Sequence, residues 1–200
     1  METTKGNIPH AREDETLLIS RILDGQTTLF RKLAGRYAGQ VLRMVARLIP
    51  SPEEAEELTQ DTLLSAFQNL SRYDARRASF HTWLMRIAYH TALKHYRRHQ
   101  RTLPMVEVNQ QCLDAFPDEE TDTLLDDKNR VTLMERAIEM LKPDDQMLLS
   151  LYYFDNRPMR EIAIITEHEE SYLHSRLQWI RKKLAITIKA LESNEEQGRR

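Results

Sequence analysis

The chain has 200 residues, enough for one medium or two small domains. Its formal net charge of −2 argues against a protein that coats DNA without sequence specificity. Gly occurs only five times, while Leu, Ala, Glu and Arg are abundant, which favours helix almost throughout. The single Cys112 excludes an internal disulfide. No apolar run is long enough to span a membrane and the first residues lack a signal-peptide pattern, so we expect a soluble cytoplasmic protein.

Two helices are predicted after residues 1–13, which we expect to be disordered. The first covers 14–23 and stops at the turn pair Asp24-Gly25, and the second covers 26–48 and stops at Pro50. Apolar side chains recur in the second helix at spacings of three and four, as a helix with one buried face requires. They are Phe30, Leu33, Tyr37, Val41, Met44 and Leu48.

A third helix is predicted over 53–70. Ser51 stands at its cap, Pro52 at its first position, and Glu53 and Glu54 in its first turn, where the helix dipole favours negative charge. Its predicted core face consists of Ala55, Leu58, Thr59, Thr62, Ala66, Phe67 and Leu70. The opposite face carries Glu57, Asp61, Leu64 and Gln68. This leucine among acids is either an ordinary exposed residue or the centre of a docking site for a basic partner helix.

After a short basic loop over 71–79, a fourth helix over 80–101 concentrates positive charge. Its predicted apolar stripe is Leu84, Ile87, Ala88, Thr91 and Ala92, and the opposite side holds Arg86, His90, Lys94, Arg97, Arg98 and Arg101. Tyr89 and Tyr96 fall among the charges. Such a helix is either a solvated amphipathic helix or a surface for a polyanion whose bases stack on aromatic rings.

The segment 102–128 is predicted to be an extended acidic linker between two domains, because it holds two prolines, many acids and few periodic apolar residues. It is either a solubilising tether or a segment that lies in a positively charged channel that normally holds nucleic acid.

Helical periodicity returns over 129–192 and predicts a second domain, followed by a frayed tail over 193–200. The predicted stripe of its first helix is Val131, Met134, Ile138 and Leu141. A helix over 143–154, a turn at 156–158, a short helix over 159–166 and a tight connection near Glu167-His168 follow. The last helix carries Leu173, Leu177, Ile180, Leu184 and Ile188 on one face.

A short helix, a tight turn and a longer helix with a polar leading face are typical of a helix-turn-helix. Opposite the apolar stripe, hydrogen-bonding and aromatic groups come first and positive charge comes later. This order suits a helix whose start enters the major groove while later residues hold phosphates. The polar face consists of Ser171, Tyr172, His174, Ser175, Gln178, Trp179, Arg181 and Lys182.

Over about residues 14–192 the chain resembles bacterial sigma factors of the extracytoplasmic-function group, the smallest members of the sigma-70 family. Segment 53–70 resembles the part of region two that docks on the clamp helices of RNA polymerase. Segment 80–101 resembles the part that opens the transcription bubble. Segment 141–184, with Glu-Ile-Ala at 161–163 and Ser-Arg-Leu at 175–177, resembles region four.

The resemblance implies an all-α chain with a four-helix region-two domain over 14–101, an acidic linker over 102–128 whose acids mimic RNA, and a helix-turn-helix region-four domain over 129–192. It implies a transcription initiation factor that binds core RNA polymerase, directs it to promoter DNA and helps to melt that DNA. A membrane-linked anti-sigma factor is the further partner implied.

The same resemblance implies three groups of site residues. Those for polymerase docking are Glu57, Asp61, Leu64 and Gln68. Those that hold the non-template strand of the minus-ten element are Tyr89, His90, Lys94, Arg97 and Arg98, with an unstacked base near the 71–79 loop. At the minus-thirty-five element the base contacts implied are His174, Ser175, Gln178 and Trp179, and the phosphate contacts are Arg157, Arg176, Arg181 and Lys182.

Several positions depart from the family pattern. His90 and Lys94 replace the usual Asn and acid, Glu167 and His168 replace the usual Gly and small apolar residue of the turn, and Tyr172 begins an atypical start of the recognition helix. The departures at 90 and 94 concern the identity of the base read there, and those in the turn and the recognition helix imply an unusual upstream element that the chain binds weakly without polymerase.

Three rival functions differ in class from a sigma factor. A helix-turn-helix regulator that acts without polymerase explains 159–184 but neither the acidic helix nor the linker. An enzyme is the second: His95 and His99 could ligate zinc, and His168-Glu169 begins a zinc-protease-like motif, yet Tyr172 replaces its second His. A helical adaptor that binds no DNA is the third. Because no complete site is found, we expect no catalysis, cofactor, metal or small-molecule substrate.

Overall fold

The fold is helical throughout the part of the chain that the computed structural model describes, which is 8–99 and 127–198, with side chains at 14–99 and 131–194. Within these ranges there is no strand, which confirms the predicted all-α class. The helices are α1 (Ile8–Leu23), α2 (Phe30–Ala46), α3 (Pro52–Gln68), α4 (Phe80–His99), α5 (Asp127–Glu139), α6 (Pro143–Leu149), α7 (Met159–Thr166) and α8 (Glu170–Gly198). Among the described helices, none has the length and apolar character needed to cross a membrane.

The described residues form two compact units. The first holds 8–95 together with 164–166, and the second holds 96–99, 127–163 and 167–198. The division between the two units therefore falls inside α4, and the predicted boundary at residue 101 lies outside the described residues. The N-terminal segment 1–7 lies outside the described residues. The predicted linker also lies outside them, except for its last two positions, which belong to α5.

The core of the first unit explains why its helices form where they do. α1 begins at Ile8, six residues before the predicted start at 14, and buries Leu18 and Ile22. α2 and α3 pack on each other, and the residues that fill the core are the apolar ones at helical spacing. The most deeply buried of them are Leu33, Val41, Met44, Val45, Ala55, Ala66, Leu70, Phe80, Leu84, Ala88 and Ala92.

Two features of α3 fix its position. The Ser51 hydroxyl accepts a hydrogen bond from the backbone N–H of Glu54 at 3.2 Å, as predicted for a cap. Thr59 and Thr62 are buried, and their hydroxyls donate to the carbonyl oxygens of Ala55 and Leu58 at 2.8 and 2.7 Å. Because these hydroxyls are satisfied inside the helix, two polar residues can lie on its core face without a desolvation penalty.

The second unit packs α5 and α6 on the long helix α8. The predicted stripe of α5 is wrong in part, because Val131 and Met134 are exposed while Leu133, Ala137 and Leu141 are buried. The predicted stripe and the set of buried residues both have helical spacing. The buried set was not recognised from the sequence because one of its members, Ala137, is small and only weakly apolar. The predicted 143–154 helix is α6 followed by a π-helical turn over Ser150–Phe154. The predicted tail is helical to Gly198.

A left-handed residue closes α7. Glu167 has φ 60° and ψ 34°, at the position where most helix C-termini that use this conformation place glycine. The predicted tight connection at Glu167 is therefore a left-handed turn, and a residue with a Cβ in it costs roughly 1 kcal/mol or more.

Glu167→Gly is expected to raise the free energy of unfolding by up to about 1 kcal/mol, because the strain is relieved while the extra chain entropy of glycine offsets part of the gain. Denaturant unfolding measures this difference. Glu167→Ala is the matched control, since it removes the carboxylate but keeps the Cβ. An equal gain in both variants would show that the carboxylate, not the backbone conformation, is the source of the cost.

Candidate nucleic-acid and protein interfaces

The outer face of α3 is available to a partner. Glu57, Asp61, Leu64 and Gln68 are all exposed, and Leu64 keeps 54% of its surface accessible. The opposite face, through Ala55, Leu58, Thr62 and Ala66, is buried. Carboxylates therefore surround an accessible apolar side chain on a rigid helix, an arrangement suited to a basic partner surface with an apolar centre.

The outer face of α4 carries a stripe of positive charge. His90, Lys94, Arg97 and Arg98 are exposed, and the first three follow each other at i, i+4 and i+7, so they form one stripe. The predicted Arg101 lies outside the described residues. A stripe of this kind is suited to the sugar-phosphate backbone of a nucleic acid.

Tyr89 corrects the predicted site. Its side chain is only 3% exposed and lies on the core side of α4 with Met85, Ala92 and Leu93. Leu84, Ala88 and Ala92 of the predicted stripe are buried, whereas Ile87 and Thr91 are only half-buried. The core takes Tyr89 and Leu93 in their place, because the aromatic body of a tyrosine packs as readily in a core as on a surface. In this structure the Tyr89 ring is not accessible for stacking on a base.

Other aromatic residues lie close to the basic loop. The rings of Tyr73, Phe80 and Trp83 pack with centroid separations of 5.6 Å, and Trp83 is half-buried. Trp83 therefore packs with the rings of Tyr73 and Phe80. Burial raises the pKa of the phenol of Tyr96, which is also half-buried.

The loop between α3 and α4 presents two cations that the predicted site did not include. Arg76 and Arg77 have side chains 90% and 88% exposed. The Asp74 carboxylate accepts from the Arg76 side chain and from its backbone N–H at 3.0 Å, and these hydrogen bonds lower the pKa of Asp74. A carboxylate thus orders the loop and leaves cations at its surface. The basic composition of 71–79 was the signal for them.

On α8 the leading polar face is accessible. His174, Ser175 and Gln178 are exposed, and the Ser175 hydroxyl donates to the Ser171 carbonyl at 3.1 Å. Arg181 is exposed, Lys182 is half-buried, and Arg157 pairs with Glu161 at 3.3 Å.

Arg176 and Trp179 are the second correction. The Nε and Nη2 atoms of Arg176 donate to the two carboxylate oxygens of Asp145 at 2.7 and 2.8 Å, and Asp145 is only 2% exposed. The guanidinium of Arg176 lies 3.9 Å from the centre of the Trp179 ring, and the buried Lys183 ammonium lies 5.2 Å from the centre of the same ring. The indole N–H of Trp179 is buried and has no acceptor among the described residues.

This cluster faces α6 because residues 176, 179 and 183 share one flank of α8. It ties α8 to the start of α6, so the predictions that Arg176 contacts a phosphate and that Trp179 contacts a base are wrong for this geometry. Burial also lowers the pKa of Lys183. No local sequence pattern pairs Asp145 with a residue so distant in the chain.

No group of three or more His, Cys, Asp or Glu side chains within the described ranges is arranged to hold a metal ion. His95 lies 3.9 Å from a carboxylate oxygen of Glu54, and His99 is exposed.

Comparison with known proteins supplies the family. Residues 33–102 match the family described as sigma-70 region 2, a span from α2 to the end of α4 and just beyond. The chain is 24% identical over 173 residues to the RNA polymerase sigma-H factor of Pseudomonas aeruginosa, which covers 83% of this chain and 89% of that protein. It is 28% identical over 172 residues to the ECF RNA polymerase sigma-E factor of Escherichia coli K12, which covers 82% and 88%.

Solved structures share the fold. CnrH, determined in complex with the cytosolic domain of CnrY, matches with a TM-score of 0.59 and 19% identity over 87% of this chain and 96% of that one. The sigma factor RpoE of Bartonella quintana, determined with the anti-sigma factor NepR, matches with a TM-score of 0.55 and 18% identity over 80% and 96%. With the region 2 match and the relatives that span both units, these findings show that residues 33–102 belong to the sigma-70 region 2 family and that the chain as a whole is similar to sigma factors of the extracytoplasmic-function group.

Proposed function

We propose that this chain is a transcription initiation factor that binds core RNA polymerase, directs it to specific promoters and helps to melt the promoter DNA. The observation that carries the proposal is that a helix with an acidic, leucine-centred outer face and a helix with a basic outer face belong to one α-helical segment that matches sigma-70 region 2. A regulator that acts without polymerase has no use for the first face, and no described feature favours that alternative.

In this proposal the chain is divided into a region-two domain over 14–101, a linker over 102–128 and a region-four domain over 129–192. Glu57, Asp61, Leu64 and Gln68 dock on polymerase. His90, Lys94, Arg97 and Arg98 hold the opened strand, joined by Arg76 and Arg77 of the preceding loop. His174, Ser175 and Gln178 contact bases of the upstream element, while Arg157, Arg181 and Lys182 contact its phosphates.

The energetics of opening require polymerase. Each opened base-pair step loses about 1.4 kcal/mol of stacking, and stacking on an aromatic side chain returns about 1–3 kcal/mol per base. Because Tyr89 is buried, it supplies none of this return, and strand capture by α4 rests on charge. The free chain therefore melts no DNA, and contacts made within the holoenzyme supply the difference.

An anti-sigma factor is the other proposed partner. Support comes from the Bartonella quintana sigma factor of the same fold, which was determined with one. Such a partner, linked to the membrane, would cover the faces that otherwise reach polymerase and promoter.

The test is reconstitution of holoenzyme from this chain and core RNA polymerase, with start sites mapped by sequencing the transcripts. Replacing Lys94, Arg97 and Arg98 together by Ala is expected to reduce transcription from the mapped promoter at least tenfold. The slope of log affinity against log salt should fall by about 2 to 3, because up to three phosphate contacts are lost. Binding to polymerase should be unchanged.

The matched control replaces Arg31, Lys32 and Arg43 by Ala, which removes the same charge from the exposed surface of α2. If the α4 variant transcribes like the parent chain, α4 does not capture the strand. If the parent chain never directs polymerase to defined start sites, the proposed function itself is wrong.

A further inference from the structure

The side chain of Tyr153 holds Arg181, one of the cations proposed to contact upstream phosphates. The Nε atom of Arg181 donates to the Tyr153 hydroxyl oxygen at 2.7 Å, and the guanidinium carbon lies 5.7 Å from the centre of the Tyr153 ring. Tyr153 keeps 52% of its surface exposed, and Arg181 is exposed as well. This is a polar contact at the surface, not core packing.

The chain reaches this geometry through the π-helical turn that follows α6. The backbone N–H of Asp155 donates to the carbonyl of Ser150 at 3.0 Å, which closes a turn one residue wider than an α-helical turn. Ser150 and Leu151 are buried by this turn while Tyr153 points outward. The Tyr152 ring lies edge-on to the Tyr153 ring at 4.9 Å and restricts its position.

On α8, Arg181 belongs to the strip proposed to face DNA. It follows His174 and Gln178 at i+7 and i+3, so the three side chains emerge on one side of the helix. A guanidinium has five N–H donors in a fixed plane, and the contact with Tyr153 uses only the one on Nε. Both terminal nitrogens therefore stay oriented in the forked arrangement that binds two phosphate oxygens.

We propose that Tyr153 is a positioning residue that fixes the Arg181 guanidinium for bidentate contact with a phosphate of the upstream promoter element. A free arginine side chain loses considerable rotamer freedom when it binds a phosphate, which weakens binding. The hydrogen bond to Tyr153 already restricts the Arg181 side chain before DNA binds, so less of this entropy is lost on binding. The inference rests on the proposed function, because it concerns the DNA-facing side of the second unit.

The test uses holoenzyme and a promoter mapped from its own transcripts, with affinity measured over a range of salt concentrations. Tyr153→Phe is expected to weaken promoter binding roughly threefold to tenfold, since the Arg181 side chain is then ordered only when DNA binds. Arg181→Ala is expected to weaken it about tenfold and to reduce the salt slope by about 0.9, the value for one phosphate. Tyr152→Phe, which removes the neighbouring hydroxyl but keeps the ring that packs on Tyr153, should leave affinity unchanged.

The double variant separates positioning from other roles. If Tyr153 acts through Arg181, Tyr153→Phe causes no further loss of promoter affinity in a chain that already carries Arg181→Ala. It also causes none in a chain that carries Arg181→Lys, because lysine lacks the Nε donor and the forked guanidinium. A Tyr153→Phe effect that persists without Arg181 would overturn the proposal, and so would no effect in the parent chain.

An unchanged salt slope in Arg181→Ala would also overturn it, by showing that Arg181 contacts no phosphate. Defined start sites from the parent holoenzyme would in that case still support the proposed function. Unfolding midpoints of all variants should match that of the parent, because both side chains are exposed.

Discussion

Replacing Asp61 and Leu64 by Lys is expected to abolish binding of the chain to core RNA polymerase. The change removes the apolar centre of the α3 face and turns one negative charge into two positive ones. A side chain at the centre of an interface contributes about 2 kcal/mol or more, and like charges brought together cost several kcal/mol more. The combined loss corresponds to at least a 100-fold weaker complex, measured by titrating the labelled chain with polymerase.

The fold should survive this replacement, because Asp61 and Leu64 are both exposed. The control is a chemically matched leucine and aspartate, Leu17 on α1 and Asp24 directly after the end of α1, also replaced by Lys. Leu17 is 59% exposed against 54% for Leu64. The α1 variant should bind polymerase like the parent chain. Retained affinity in the α3 variant would remove this face from the proposed interface and leave the exposed leucine as an ordinary surface residue.

Local sequence signals were sufficient for α3 but not for α4. In α3 the cap, the proline and the acids of the first turn mark the start of the helix. Only one choice of the core-facing side of this helix leaves every acidic side chain exposed. In α4, Ile87 and Thr91 compete with Tyr89 and Leu93 for the core, and both choices have helical spacing. Packing of the whole unit decides between them, so the pattern alone left the orientation of Tyr89 undetermined.

Contacts between distant residues were the other part that the sequence did not reveal. The helix-turn-helix and the tight connection near Glu167-His168 were predicted from the helical spacing on either side. The pairing of Asp145 with Arg176 and the hydrogen bond from Arg181 to Tyr153 join residues 31 and 28 positions apart. Nor does a local pattern reveal the π-helical turn that places Tyr153. The sequence therefore identified the surface of α8 in outline, while tertiary contacts determine which of its cations are accessible.

Asp145→Asn is expected to destabilise the second unit by about 3 kcal/mol. Removing one partner of a buried ion pair leaves the other without compensation, which costs about 3–5 kcal/mol. The lower value applies because the side chain of Arg176 is 25% exposed. Hydrogen exchange of the full chain should show the loss as faster exchange of backbone amides in α8, with those of α3 unchanged.

Three further variants decide what the pair does. Asp144→Asn alters the neighbouring carboxylate, whose side chain is 44% exposed, and should cost less than about 1 kcal/mol. Asp145→Leu combined with Arg176→Met should recover most of the stability lost in Asp145→Asn, because an apolar pair of similar volume carries no desolvation penalty. Arg176→Ala should impair promoter binding only as far as it unfolds α8. If instead Asp145→Asn left stability unchanged and strengthened promoter binding, the freed guanidinium of Arg176 would be a phosphate contact, and the structural role assigned to it would be wrong.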